Sequence, residues 1–145
     1  MPSKPETKIV NAIQTLVKEQ GGEVVKQHGS VMSRLGEPDL IGGIVVKTYY
    51  YDWSNDECIA VAYVPISFAV EVKQVTEDVH PLQAYRLNAW KSVGWVTGRV
   101  DSVHSFQELI KSRLFQLWDR HGRRVGQLYN HVFTAVWEVQ IDVDN

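Results

Sequence analysis

Two short segments of this chain contain the residues best suited to chemistry. The first is Gly36-Glu37-Pro38-Asp39-Leu40, and the second is the strand-like run Phe68-Ala69-Val70-Glu71-Val72-Lys73. Together they supply two carboxylates, Asp39 and Glu71, and one basic side chain, Lys73. Hard divalent cations prefer carboxylate oxygen, and a nearby ammonium group can stabilise negative charge on a phosphate. The two segments therefore predict a site where a divalent metal ion meets a phosphodiester.

The second segment has the alternation of a strand with one apolar face. Successive side chains of a strand point to opposite faces, so Ala69, Glu71 and Lys73 share one face and three apolar side chains take the other. The apolar face can pack into a core. We expect Glu71 and Lys73 to be held two residues apart on a rigid element, as a catalytic metal site requires.

The triplet Glu71-Val72-Lys73 is not specific by itself. The same acid-x-lysine pattern occurs at Glu6-Thr7-Lys8, and a solvated pair on an exposed strand is the simplest alternative for Glu71 and Lys73. The combination with Pro38-Asp39 is more informative, because this is the only Pro-Asp pair in the sequence and it precedes a strand-like run. The conjunction favours the metal site over the solvated pair.

Composition predicts a single globular domain over residues 1–145, since 145 residues that are 44% hydrophobic can bury their own core. No apolar run approaches the roughly 18 residues of a membrane span. We expect no membrane partner and an intracellular location, cytoplasmic or nucleoid-associated. The single cysteine, Cys58, excludes an intrachain disulfide and is interpreted as a core residue. No two histidines have the helical zinc spacing, so carboxylates are the expected metal ligands.

The formal net charge of −2 is not that of a general nucleic-acid binder, which usually has a strongly basic face. This observation counts only weakly against a DNA partner, because clustered acids in a metal site lower the net charge without removing local basic patches. Two candidate patches are the set Arg86, Lys91 and Arg99, and the run Arg120–Arg124.

The order of predicted elements indicates an α/β protein. Apolar residues recur at helical spacing after Pro5 until Gly21 ends the pattern. Pro65 is expected to interrupt the strand that precedes the Glu71 strand. Residues 125–141 fit either a helix or a strand, and the pattern does not decide between them. The remaining predicted elements are strands at Glu23–Gln27, Leu40–Val46, Cys58–Tyr63 and Gly94–Val100 and helices at Pro81–Ser92 and Phe106–Trp118.

In this order the motifs resemble the PD-(D/E)xK nuclease superfamily, most closely the stand-alone VRR-NUC nucleases and more distantly the archaeal Holliday junction resolvases. The resemblance covers about residues 6–100, with an insertion at about 46–65 and a C-terminal extension at about 103–145 that match nothing in the family pattern. It implies a restriction-endonuclease-like core, in which a mixed central sheet is flanked by helices.

The resemblance also implies roles for the site residues. Asp39 and Glu71 would bind Mg²⁺ or Mn²⁺, with the backbone carbonyl of Val72 completing the ligand set. Lys73 would orient or help deprotonate the attacking water. Glu6 would hold a second metal ion or its waters, although an acid in a first helical turn is more often a partner of the helix dipole.

Other residues would act around this centre. Gln83 would position the phosphate or Lys73, with an ordinary surface glutamine as the alternative. Lys26, Arg86 and Lys91 would contact the nucleic acid. A solvated surface residue is an equally good interpretation of Lys26, and it is the favoured one for Arg86 and Lys91 taken singly.

The function that the resemblance implies is that of a metal-dependent endonuclease, a Mg²⁺-dependent deoxyribonuclease that hydrolyses DNA and selects branched, flap or junction structures. A homodimer is expected, so that two sites can address two strands. Two alternatives are kept: a sequence-specific restriction-type endonuclease that uses the same residues, and a non-catalytic module on the same fold that binds nucleic acid or protein.

Overall fold

The computed structural model describes residues 5–27, 36–52, 56–119, 126–129 and 134–138. Within these ranges three helices and six strands follow one another along the chain. No described helix is long and apolar enough to cross a membrane. In chain order the elements are α1 Pro5–Glu19, β1 Glu23–Lys26, β2 Leu40–Asp52, β3 Glu57–Val72, α2 Pro81–Ser92, β4 Val96–Val100, α3 Val103–Asp119, β5 Gly126–Tyr129 and β6 Thr134–Glu138.

The six strands form one mixed sheet in the order β4-β3-β2-β6-β5, with β1 paired to β2 as well. Strands β2 and β3 are antiparallel, whereas β4 runs parallel to β3 and β6 runs parallel to β2. Strand β1 pairs with the first residues of β2 and β6 with its last ones, so both lie on the same edge of β2. The predicted α/β class, with a mixed central sheet and flanking helices, is confirmed.

Strands β2 and β3 form a long hairpin, and the expectation of an interruption at Pro65 is wrong. Strand β3 continues through Pro65, which lies opposite Val45. Strand β4 pairs only with the last residues of β3, so Pro65 lies where β3 is an edge strand. A proline is tolerated there because its missing N–H can face away from the sheet. Most of the residues expected as an insertion, about 46–65, therefore belong to the sheet, since β2 covers 46–52 and β3 covers 57–65. We call the strand residues 45–52 and 57–65 the outer hairpin.

Helices α1 and α3 cover one face of the sheet. Residues paired across strands project to the same face, so Gly98 of β4 shares the face of Val70, and a Cβ at Gly98 would contact Leu109 of α3. On this face the rings of Phe68 and Phe106 meet edge to face, with centroids 5.0 Å apart. Helix α2 lies against the opposite face, where it contacts β3 and β4. The apolar core predicted beneath the second segment is therefore present.

Cys58 and the C-terminal strands differ from, or add to, what the sequence predicts. Cys58 is exposed, because it lies at the far end of the outer hairpin, so its assignment to the core is wrong.

Residues 126–129 and 134–138 are strands, which decides between the helix and the strand left open for residues 125–141. The edge of β2 at Lys47–Tyr51 gives β6 a pairing partner that no local pattern reveals. The run Arg120–Arg124 lies outside the described residues.

Candidate active site

Asp39 and Glu71 lie side by side at the end of the hairpin away from its turn. Asp39 immediately precedes β2, and the antiparallel register places Leu40 opposite Val70. The backbone N–H of Val72 donates a hydrogen bond to Asp39 Oδ2 at 2.9 Å. Because this bond joins the loop before β2 to the end of β3, it fixes the Asp39 carboxylate beside Glu71.

Glu71 is 3% exposed, so this end of the face that carries it is closed to solvent. Gln83 Nε2 of α2 donates to Glu71 Oε1 at 2.9 Å, whereas the buried Oε2 accepts no hydrogen bond from any described residue. Burial, followed by the contact with the Asp39 carboxyl, raises the pKa of Glu71 to about 9. The raised pKa favours the protonated form of the Glu71 carboxyl at neutral pH in the metal-free protein, and a cation could take the place of that proton.

Lys73 supplies the positive charge of the site. Its side chain is 9% exposed, and its charge lowers the pKa of both Glu71 and Glu6 against the larger effects that raise them. The backbone N–H of Lys73 donates to the carbonyl of Val100 at 3.0 Å, which ties the end of β3 to the end of β4. The alternative of a solvated pair on an exposed strand is thus wrong for Glu71 and Lys73.

Glu6 is drawn into the same acidic region from the first turn of α1. Burial, followed by the charge of Glu77 and a hydrogen bond with it, raises the pKa of Glu6, and Asp39 contributes in the same direction. Glu77 is a site residue that sequence reasoning missed. It lies in the loop between β3 and α2, where no periodic pattern marks a functional side chain.

Arg99 holds the Glu77 loop rather than extending a basic patch. Its Nε donates to the carbonyl of Glu77 at 2.8 Å, and one of its terminal nitrogens donates to the carbonyl of Val75 at 3.0 Å. Strand β4 places Arg99 directly opposite Glu71. The guanidinium therefore fixes the loop that brings Glu77 to Glu6.

Glu37 attaches the Asp39 loop to α2, and it too was missed as a site residue. Trp90 Nε1 donates to Glu37 Oε2 at 3.1 Å, and Arg86 Nε lies 3.7 Å from Glu37 Oε1. Gly36 approaches the same helix so closely that a Cβ would lie 2.6 Å from Leu82 Cγ. Helix α2 thus positions Asp39 through this loop and Glu71 through Gln83.

The remaining predicted residues surround this centre. Lys26 ends β1 opposite Leu40, next to Gln27, whose backbone N–H donates to the carbonyl of Asp39 at 2.8 Å. Arg86 forms an ion pair with Glu37, and the exposed Lys91 lies in the last turn of α2. Gln83 makes its described side-chain contacts with Glu71 and the His80 backbone N–H. The nucleic-acid contacts predicted for the basic residues stay predictions.

The donor set of the site is small. In the parts of the chain that the structure covers, no group of three or more His, Cys, Asp or Glu side chains is arranged to hold a metal ion. Two carboxylates, Asp39 and Glu71, are the acids brought together at the hairpin end. Such a set fits a hard ion that keeps several of its waters, as Mg²⁺ does.

The mixed sheet and its flanking helices, with the acids at the hairpin end, define a restriction-endonuclease-like fold. Two solved structures share it. A chain described as "VRR_NUC domain" is 20% identical with a TM-score of 0.52, over 75% of this chain and 97% of that one. A "VRR_NUC domain protein" is 13% identical with a TM-score of 0.50, over 77% and 89%. No family model and no curated protein matches the sequence. The chain has the VRR-NUC fold, as the resemblance implied.

Proposed function

We propose that this protein is a metal-dependent endonuclease that hydrolyses phosphodiester bonds in DNA and selects branched, flap or junction structures. The observation that carries the proposal is the pair Asp39 and Glu71, fixed side by side next to Lys73, with Glu71 Oε2 accepting no hydrogen bond from a described residue. Two acids and a lysine in this arrangement suit phosphate chemistry assisted by a divalent ion. The shared fold with VRR-NUC domains supports the same class.

The residues fit Mg²⁺ or Mn²⁺. Asp39, Glu71 and the backbone carbonyl of Val72 would hold the ion. Glu71 Oε2 is buried and accepts no hydrogen bond from a described residue, and a cation would stabilise such a carboxylate oxygen. When bound, the ion supplies charge neutralisation at the phosphate and makes water easier to deprotonate. Glu6, paired with Glu77, would bind waters at the rim of this site.

The chain's own groups would orient the reactants. Lys73 would hold the attacking water and stabilise the charge that grows on the phosphate, and its low exposure strengthens this interaction. Gln83 would keep the Glu71 carboxylate in place through its hydrogen bond. Attack at phosphorus breaks the bond to the 3′ oxygen, which takes up a proton, so the products would carry a 5′-phosphate and a 3′-hydroxyl.

The DNA would reach the site past basic side chains around it. Lys26 lies at the strand end beside the Asp39 loop, and Lys91 is exposed on α2. Both would contact the phosphate backbone. A homodimer would present two such sites to two strands. Light scattering with and without DNA tests the homodimer, since a monomer mass in both conditions would contradict it.

Cleavage of labelled single-stranded, duplex, flap and four-way-junction DNA tests the main proposal. We expect cutting with Mg²⁺ or Mn²⁺ and none with EDTA, with the flap or junction cut fastest. Asp39→Asn should slow it about a thousandfold, whereas Glu108→Gln, an exposed acid on α3, should not. Discrete fragments from a long plasmid would instead favour a sequence-specific enzyme. No cutting with either metal would favour a non-catalytic binding module.

A further inference from the structure

The outer hairpin carries a second surface on the same sheet face as the candidate active site. In the β2–β3 register, Val45 lies opposite Pro65, Lys47 opposite Tyr63 and Tyr49 opposite Val61. Side chains alternate along a strand, and the register is regular from these pairs to the site end, so the six residues share the face of Glu71. We call these residues the aromatic strip: Val45, Lys47, Tyr49, Val61, Tyr63 and Pro65.

The aromatic strip is unusually exposed for apolar side chains on a strand. Tyr63 is 65% exposed, Val45 51% and Val61 47%. The alternate residues Val46 and Thr48 on the opposite face are buried. A contiguous set of exposed apolar and aromatic side chains on a rigid element marks an interaction surface.

Lys47 gives the strip a cationic centre. Its Nζ lies 5.0 Å from the centroid of the Tyr49 ring and 6.0 Å from that of Tyr63. Contact with Tyr49, and more weakly with Tyr63, raises the pKa of Lys47, so the ammonium group stays charged at neutral pH. An ammonium group between two tyrosines can contact a phosphate while the exposed ring offers a surface for a base.

The strip lies in line with the site at a useful distance. Tyr63 precedes Glu71 by eight residues on one continuous strand (71 − 63 = 8), which is roughly 26 Å along β3. At about 3.4 Å per stacked nucleotide, this separation corresponds to roughly eight nucleotides. A nucleic-acid strand with its reacting phosphate at Lys73 could therefore extend along the hairpin to Tyr63.

We propose that the aromatic strip binds a single-stranded stretch of the nucleic acid whose reacting phosphate lies at Asp39, Glu71 and Lys73. The inference rests on the proposed function and names the substrate class within it. Unpaired bases expose the ring faces that stack on tyrosine, whereas a duplex hides them between neighbouring pairs. The central lysine, and the continuity of the strip with the site, favour this occupant over a second protein. The preferred substrate is then a duplex with a single-stranded arm.

Fluorescence anisotropy measures the affinity of the protein for such a duplex directly. The probe is a labelled duplex with a single-stranded arm of about ten nucleotides, compared with the same duplex without an arm. Binding is measured with Mg²⁺ in an Asp39→Asn background, so that cleavage does not interfere. We expect Tyr63→Ala or Lys47→Ala to weaken binding of the armed duplex about five- to tenfold, and to affect the blunt duplex much less.

Two further variants separate the aromatic ring from other effects. Tyr63→Phe keeps the stacking face and should restore most of the affinity for the armed duplex. Lys18→Ala, an exposed lysine in the last turn of α1, should bind both probes like the parent protein. Thermal melting checks that Tyr63→Ala is folded, which is expected because Tyr63 is a surface residue.

The inference is overturned if Tyr63→Ala and Lys47→Ala both bind the armed duplex as the parent does. It is also overturned if Tyr63→Ala leaves DNA affinity unchanged and converts a dimer into a monomer by light scattering, since the strip would then join two copies of the chain. Because binding is measured without catalysis, its failure is distinct from failure of the proposed function. A protein that binds the arm through Tyr63 but cuts no DNA would contradict only the nuclease assignment.

Discussion

The two ends of the β2–β3 hairpin treat polar and apolar side chains in opposite ways. At the site end Glu71 and Lys73 are buried, whereas in the outer hairpin Val45, Val61 and Tyr63 are exposed. Burying a charge and exposing an apolar side chain both cost free energy. The same two strands bear both costs on the same face. We infer that a ligand offsets the cost at each end: a cation at the buried acids, and a nucleic-acid strand at the exposed apolar side chains.

The surroundings of each end explain the difference. Helix α2 covers the site end, and it attaches the acids through Gln83 and the Glu37 loop. Strand β4 pairs with β3 only from Phe68 to Val72, so β3 continues into the outer hairpin without it. The site end is therefore held in one geometry, as a reaction requires, while the outer end presents a surface.

Core truncation should show the largest difference in stability between the two ends. Phe68 is fully buried against Phe106, so Phe68→Ala should lower the free energy of unfolding by about 3–5 kcal/mol. Tyr63→Ala, in the same strand but exposed, should lower it by less than about 0.5 kcal/mol. Urea denaturation of the two variants measures both values. Equal losses would mean that the outer hairpin is part of the core, and the contrast between the ends would fail.

The attachment of Glu37 to α2 should affect metal use more than stability. Trp90→Phe keeps an aromatic ring but removes the N–H that bonds Glu37, so the Asp39 loop is held less firmly. We expect the Mg²⁺ concentration for half-maximal cleavage to rise roughly tenfold.

Trp95→Phe is the matched control for this change. Trp95 contacts the Trp90 ring at a centroid distance of 4.7 Å but is not the donor to Glu37. Its Mg²⁺ requirement should stay near that of the wild type. If both variants need the same Mg²⁺ concentration as the wild type, the Glu37 loop does not position the metal ligand.

The buried acid should make the metal-free protein less stable at high pH. The pKa of Glu71 is about 9 in the folded protein and near 4.5 when unfolded, so the folded state binds more protons between these values. The free energy of unfolding therefore falls as pH rises from about 5 to about 9. Melting in EDTA should show a Tm that decreases by several degrees over this range.

Glu71→Gln and Mg²⁺ should each reduce that pH dependence. The amide cannot ionise, and a bound cation stabilises the carboxylate, so either change removes the cost of ionising this group. Glu108→Gln, on the exposed surface of α3, should retain the wild-type slope. A wild-type slope in Glu71→Gln would contradict the assignment of the buried proton to Glu71.

The sequence predicted the site end better than the outer end, because the site end has a local pattern. Alternation identifies residues 68–73 as a strand, and the Pro38-Asp39 pair precedes a second strand-like run, both without tertiary information. Pro65 was misjudged because a proline is tolerated there only since β4 pairs with β3 from Phe68 onwards and leaves Pro65 on an edge. Glu37 and Glu77 were missed because their roles arise only when α2 and α1 pack beside them. Local rules do not specify such contacts.

Single-turnover cleavage of a labelled flap DNA by Lys73→Ala tests the central claim most directly. The account predicts a rate in Mg²⁺ at least about a hundredfold below that of the wild type, with DNA affinity close to the wild-type value and a cooperative melting transition that shows the variant is folded. Lys18→Ala, a lysine on the surface of α1, should cut like the wild type. Wild-type cutting by Lys73→Ala would show that the chemistry lies elsewhere and would contradict the assignment of this site.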